Sequence, residues 1–174
     1  MFDELSLNIH DIGMNSLAAG ATVVRITILE DSKRDWLIIR VRDNGRGMDE
    51  ATLRRVLAKN ASTKKHRKKP IGLGLALLRQ TSEMCGGTFH IHSAPGQGTG
   101  VTASMRLSHV DRPPMGDLDS TILALCTATP AVDVQFDWRS NKERFHFSSQ
   151  EGRQYEPRRT QEAQGKGAAA SCPA

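Results

Sequence analysis

The chain has 174 residues, 38% of them hydrophobic and 25% charged, with a formal net charge of +5. That is enough for one domain with a genuine core, and it excludes a disordered chain. No apolar stretch approaches the length needed to span a bilayer, and only 5% of residues are aromatic, too few for a surface that interleaves aromatic and basic groups to bind nucleic acid.

Cys85, Cys126 and Cys172 are odd in number, widely spaced and without C-x-x-C, which excludes a disulfide framework and a structural zinc site. The N-terminus lacks the basic start and apolar run of a secretory signal, so a cytoplasmic protein is expected. The positive charge is uneven. It concentrates in Lys59–Lys69 and again at Arg153, Arg158, Arg159 and Lys166.

In chain order, Leu5–Ala19 reads as a helix, with Leu5, Ile9, Ile12 and Ser16 on one face. Asn8, Asp11 and Asn15 lie on a neighbouring polar face, and Gly20 is the expected stop. Thr22–Leu29 and Trp36–Val41 read as strands joined by a polar turn, hence a hairpin. Asp43–Met48 is a turn, and Asp49–Leu57 is a short helix with acidic residues in its first turn. Lys59–Pro70 has no apolar periodicity and reads as a mobile loop. Leu73–Cys85 is a helix stopped by Gly86 and Gly87, followed by strands Thr88–Ala94 and Thr99–Leu107 around the turn Pro95–Gly98. Beyond the connector Asp111–Pro114 come a helix from Leu118 to Leu125 and a second hairpin, Val132–Trp138 with Arg144–Phe147. The chain from 149 to 174 is polar and reads as a disordered tail. The division expected is therefore 1–110, an extension 111–148 packing on it, and the tail.

The chemistry sits in three segments. Asp11 and Asn15 are four residues apart and share a helix face. An Asn oxygen suits Mg²⁺ already held by phosphates, and a carboxylate one turn away can orient a water or take a proton. Alone, such a pair is more often a solvated polar face. Asp43-Asn-Gly-Arg-Gly-Met48 follows a strand directly. Gly45 and Gly47 allow backbone angles closed to other residues and let a flat ring approach the main chain. Asp43 can accept a hydrogen bond from an exocyclic amine, which adenine has and guanine lacks at that position. An ordinary Asn-Gly hairpin would be followed by a strand, whereas a helix follows here. Ile71-Gly-Leu-Gly-Leu75 opens a helix, where exposed N–H groups bind phosphate. It is neither a Walker loop nor a Rossmann fingerprint.

In order and context the three segments resemble the N box and two glycine boxes of the GHKL ATPase superfamily, which includes DNA gyrase B subunits, heat-shock chaperones, sensor histidine kinases and MutL proteins. Asp11–Ala21 resembles the N box, Asp43–Met48 matches the first glycine box in full, and Ile71–Arg79 is similar to the second box of histidine kinases. Gly86-Gly-Thr-Phe89 and Gly96-Gln-Gly-Thr99 match the strands that follow it, so the resemblance covers about residues 5–108. It implies the Bergerat ATP-binding fold, an α/β two-layer sandwich of a mixed, mostly antiparallel sheet with helices on one face. It implies ATP and Mg²⁺ as cofactors. Asn15 would hold the metal. Asp43 would bind the adenine amine with Thr99, and Gly45, Gly47 and Met48 would shape the purine pocket. Gly72, Leu73 and Gly74 would meet the phosphates, with Lys64 or Lys65 of a lid near the terminal ones.

Two departures from the family pattern matter. Hydrolytic members usually place Glu where this chain has Asp11, one methylene shorter, which bears on water activation. The chain also opens almost at the N box, so the dimerisation and phosphoacceptor domain of sensor kinases and the usual leading strand and helix are expected to be absent. His10-Asp11 mimics a phosphoacceptor pair but lies inside the site helix, and His90 and His92 read as an outward-facing strand edge. Asp111–Asp117 resembles small stand-alone ATP-binding proteins found beside iron-hydrogenase and NADH-oxidising subunits. The activities implied are a regulatory kinase or anti-sigma-like regulator, a slow ATPase switch, or a nucleotide sensor. The expected partner is a protein in a regulatory or redox complex, with a homodimer as a further arrangement and neither membrane nor nucleic acid.

Overall fold

The computed structural model describes residues 4–59 and 73–157. Its elements in chain order are α1 (Leu5–Ala18), β1 (Val23–Asp31), β2 (Trp36–Asp43), α2 (Glu50–Lys59), α3 (Leu73–Met84), β3 (Phe89–Ala94) and β4 (Gly98–Arg106). They are followed by α4 (Leu118–Ala128), β5 (Asp133–Arg139), β6 (Glu143–Ser148) and β7 (Gly152–Pro157). The strands form one seven-stranded sheet in the order β3-β4-β2-β1-β5-β6-β7. Every pairing is antiparallel except β1 with β5.

Alternation decides which face is covered. Val24, Ile26 and Ile28 of β1, Leu37, Ile39 and Val41 of β2, and Val101, Ala103 and Met105 of β4 are all buried. The register places Ile26 opposite Val41 and Val41 opposite Val101, so these side chains form one continuous apolar face. The helices lie on it, as the expected sandwich requires. In α1, Leu5, Ile9, Ile12 and Ser16 are buried as their spacing predicts. Each fully buried Leu or Ile contributes about 1.5–3 kcal/mol. Among the described residues no helix is long and apolar enough to cross a membrane.

The segment after residue 110 is integral to this sheet. β5 continues it from β1 in parallel, and Val134 and Phe136 extend the apolar face. α4 packs beside α1 so closely that a Cβ on Gly13 would lie 2.7 Å from Leu125 Cδ1. The connector before α4 closes the start of α1. Leu5 N–H donates to the Pro114 carbonyl at 3.0 Å and Ser6 N–H to the Met115 carbonyl at 2.8 Å. Two of the four N–H groups left open at a helix start are thereby satisfied, with no side-chain cap from Glu4. α4 has its own cap, Asp117 Oδ1 accepting from Ser120 N–H at 2.9 Å.

The expected boundary of ordered chain at residue 148 needs correction. β7 lies beyond it and pairs antiparallel with β6, Ser148 opposite Gly152 through Glu143 opposite Pro157. A polar outer strand needs only the open hydrogen-bonding edge of β6, so apolar patterning gives no sign of it. Residues 158–174 lie outside the described residues, as does most of the Lys59–Pro70 loop.

Candidate functional site: a cleft between the first helix and the sheet

A cleft of about 330 Å³ opens between α1, α3 and the covered face of the sheet. Its floor is apolar, made by Ile12, Val41, Leu75 and Val101. Asn15, Asp43, Met48 and Thr99 bring polar atoms and a thioether to the walls. A flat apolar ring with a few polar edge groups suits such a lining.

Asp43 ends β2 on the covered face and is only 8% exposed. Burying a carboxylate is costly unless hydrogen bonds compensate, and here three donors do so. Ser16 Oγ donates to Oδ2 at 2.7 Å, while Gly45 N–H and Thr99 N–H donate to Oδ1 at 2.9 and 3.2 Å. Oδ1 is saturated, and Oδ2 keeps a lone pair for a ligand donor. Sequence periodicity read Ser16 as a core position. It is that, and it also orients the carboxylate across 27 residues of chain.

The turn after Asp43 is clamped on both sides. Arg46 N–H donates to the Ala19 carbonyl at 3.0 Å, and Gly96 N–H donates to the Arg46 carbonyl at 2.7 Å. Gly47 has φ +65°, and a Cβ there would overlap the Ala94 carbonyl. The expected freedom of backbone angle therefore applies to Gly47. Gly45 does not share that positive φ, and glycine serves there because a Cβ would sit 3.0 Å from both the Ala19 Cβ and the Ala19 carbonyl. Across the cleft, Gly98 at φ +77° places its Cα against Asp43, where a Cβ would overlap the Asp43 carbonyl. Asn44 faces away and pins the start of β1, accepting from Thr22 N–H and Val23 N–H at 2.9 Å each.

Ser93 is a second residue that sequence reasoning missed. Its Oγ accepts from Met48 N–H at 2.9 Å, reaches the Gly98 carbonyl at 3.0 Å and shares a 2.8 Å hydrogen bond with Thr99 Oγ1. It thus ties the turn to both strands behind it. A serine within a histidine-rich strand carries no sequence signal for this, because the contacts come from register. Arg46 also lines the cleft, exposed at its mouth. Beside it Asp49 precedes α2, and hydrogen bonds from the side chain and N–H of Thr52 hold its carboxyl below the ordinary range.

The first helix divides its polar residues. Asn15 faces the cleft, half-buried, and its side chain has no hydrogen-bond partner among the described residues. Asn8, grouped with it by spacing, is instead buried, with Nδ2 donating to the Glu4 carbonyl at 3.3 Å. Asp11 reaches the start of α3, where Oδ2 accepts from Gly74 N–H at 2.8 Å. A Cβ on Gly74 would lie 2.6 Å from that oxygen. The carboxylate therefore occupies one of the N–H groups at the start of α3, the kind of donor that binds an anion at a helix N-terminus.

Asn15, Asp43, Gly47, Met48 and Thr99 thus line one cleft, Gly45 adjoins it through its hydrogen bond to Asp43, and Asp11 and Gly74, bonded to each other, stand outside the lining beside Leu75. Leu73 begins α3. Lys64 and Gly72 lie outside the described residues. Among the described residues no group of three or more His, Cys, Asp or Glu side chains could hold a metal ion, so a cation here would depend on ligand oxygens together with Asn15.

Comparison with known proteins agrees with this architecture. The chain is 32% identical over 97 residues to the virulence sensor protein BvgS of Bordetella bronchiseptica, covering 53% of this chain and 8% of that one. It is 30% identical over 105 residues to sporulation kinase D of Bacillus subtilis, covering 60% of this chain and 20% of the relative. The chain therefore spans a fifth or less of these relatives. The N-terminal domain of a DNA repair protein superposes with a TM-score of 0.56 at 16% identity, over 83% of this chain and 52% of that chain, which shows a common fold. Residues 1–109 match the family described as histidine kinase-, DNA gyrase B-, and HSP90-like ATPase, and the chain belongs to that family.

Proposed function

We propose that this chain binds Mg-ATP in the cleft and acts as a regulatory, histidine-kinase-like protein on a protein partner in the cytoplasm. The observation that carries the nucleotide reading is Asp43, buried, held by three donors and left with one acceptor position toward an apolar floor. That position accepts from the adenine amine, where guanine offers none. Asn15 would hold Mg²⁺ already bound to phosphates, and its unpartnered amide at the cleft wall fits that task. The ion would supply neutralisation of phosphate charge. Gly72, Leu73 and Gly74 would meet the phosphates, Gly74 once Asp11 yields its N–H, and Lys64 would approach the terminal one. Residues 1–110 would form the nucleotide unit and 111–148 an extension packing on it. The partner would belong to a regulatory or redox complex, with self-association as a further arrangement.

Calorimetry tests the site. Mg-ATP should bind and Mg-GTP should not, and Asp43→Asn should weaken ATP by about 100-fold, since a donor then faces a donor. Unchanged affinity would sink the site assignment. Transfer from γ-labelled ATP to partner proteins tests the kinase reading.

The second reading is a slow ATPase switch gating a partner complex. It rests on Asp11, whose Oδ1 has no hydrogen-bond partner among the described residues while Oδ2 is held by Gly74. A general base needs such an available oxygen. Free phosphate without labelled protein would favour this reading. Turnover surviving Asp11→Asn would remove Asp11 from it.

A further inference from the structure

The helices cover one face of the sheet, and the other carries Arg25, Arg40, Arg42, His90 and His92, all exposed. The register sets them side by side. Gln135, Arg25, Arg42, Gly100 and His92 form one row across five strands, and Asp137, Thr27, Arg40, Thr102 and His90 form the next. We propose that this patch is a docking surface for an acidic segment of a protein partner.

Arg25 stands directly opposite Arg42. Like charges at that separation destabilise a sheet, and a long exposed strand position accepts many neutral residues instead. Among the described residues no carboxylate lies within ion-pair distance of Arg25, Arg40 or Arg42. The carboxylates on the same face are engaged. Asp137 meets His146 at 3.1 Å and Arg139 at 3.8 Å, and Asp133 accepts from Gln135 and Ser148.

Arg25 is also oriented rather than loose, its Nε donating to Gln135 Oε1 at 2.8 Å, which leaves the outer nitrogens for a bidentate acceptor. The His92 ring lies over Gly100, where a Cβ would meet its Nδ1 at 2.9 Å, so the missing side chain lets the imidazole lean toward Arg42. Beside the Arg25–Arg42 pair, at the start of β1 and the end of β2, a depression of about 170 Å³ is lined by Val23, Arg25, Arg42, Asp43 and Asn44, large enough for a carboxylate side chain.

Spacing and composition choose the partner. Arg40 and Arg42 are two residues apart on β2, about 7 Å, which is also the distance between alternate side chains of an extended peptide. Single-stranded nucleic acid on a sheet would need open aromatic platforms. Trp36, far along β2 on the same face, already carries the Arg106 guanidinium over its ring at 4.3 Å. The surface lies on the opposite face of the sheet and shares only Asp43 with the cleft lining, to which none of the three arginines belongs, so its failure would leave the nucleotide reading standing.

The test uses the full chain and a labelled peptide of alternating Glu and Ser, read by fluorescence anisotropy at low salt. Binding should weaken with added salt. The double variant Arg25→Gln, Arg42→Gln should lose about tenfold or more in affinity while its thermal midpoint stays the same or rises. Lys33→Gln with Lys142→Gln, exposed in the turns after β1 and β5 at the far end of the sheet from Arg25 and Arg42, should bind as the parent does. Arg40→Gln alone should lose affinity too, and it serves if the double variant does not fold. Charge reversal at Arg42→Glu should gain binding to a Lys-Ser peptide. Equal binding by the arginine variants, loss confined to the lysine variant, or tighter binding of oligothymidine of equal charge would each overturn the proposal.

Discussion

The two ends of the sheet are built by different physics. At the β3-β4-β2 end, polar atoms converge on one carboxylate, and backbones approach so closely that Gly47 and Gly98 admit no side chain. At the β5 end, Leu125, Val134 and Phe136 bury apolar surface beside α1, and α4 crosses at Gly13. Hydrogen-bonded geometry positions a ligand-facing group at the first end. Area removed from water holds the second together. Substitutions at the first end should change binding beyond any change in stability, and substitutions at the second should do the reverse.

Gly98→Ala is the most severe way to break this contrast, because it strikes stability and site together. A left-handed backbone costs an L-residue about 1–2 kcal/mol, and overlap with the Asp43 carbonyl adds about 1–3 kcal/mol. Denaturant unfolding should show a loss of about 4 kcal/mol, with ATP binding abolished in the folded fraction. A stable variant with intact binding would mean that the close approach is not required.

Leu125→Ala sharpens the other side. Leu125 is fully buried, and its removal should cost about 3 kcal/mol in unfolding free energy while nucleotide affinity of the folded protein stays within about twofold. A large loss of affinity would show that α4 holds α1 in place for the cleft.

Ser16→Ala should separate the two effects more finely. It removes a 2.7 Å hydrogen bond to a buried carboxylate, so a destabilisation of about 1–3 kcal/mol is expected, with ATP affinity down about tenfold in calorimetry. Stability lost without affinity would make Ser16 a packing residue only.

The smallest effect concerns pH. Hydrogen bonds from the Ser120 side chain and N–H hold the Asp117 carboxyl below its ordinary value near 3.8. A carboxyl depressed in the folded state adds stability above its unfolded pKa, and that contribution fades as pH falls through the folded value. The thermal midpoint should therefore drop more steeply below about pH 4 in the parent than in Asp117→Asn, measured by circular dichroism. Equal slopes would assign the acid sensitivity to other carboxyls, Asp31 and Asp49 among them, both also held low by hydrogen bonds.

Much of the fold is legible in the sequence alone. The helices, both hairpins and the turn at Asp43–Met48 follow from periodicities and breakers that act over a few residues, and they stand within a few positions of expectation. β7 was not legible, because an outer strand needs only the open hydrogen-bonding edge of β6 to pair with. The grouping of Asn8 with Asn15 failed for a related reason: a helix wheel gives angles, whereas the neighbours at each angle come from elsewhere in the chain.

The same division holds at the site. The residue types, their order and the glycine spacing were written in the sequence, because local backbone geometry and short-range chemistry demand them there. Only the tertiary structure joined Ser16 and Thr99 to Asp43, laid Asp11 on the start of α3 and brought Ser93 behind the turn. Only the strand register set Arg25 against Arg42 on the open face, one residue from the carboxylate that faces the cleft. Those contacts join segments tens of residues apart, and a pairing of that kind is decided by how the sheet closes rather than by any local pattern.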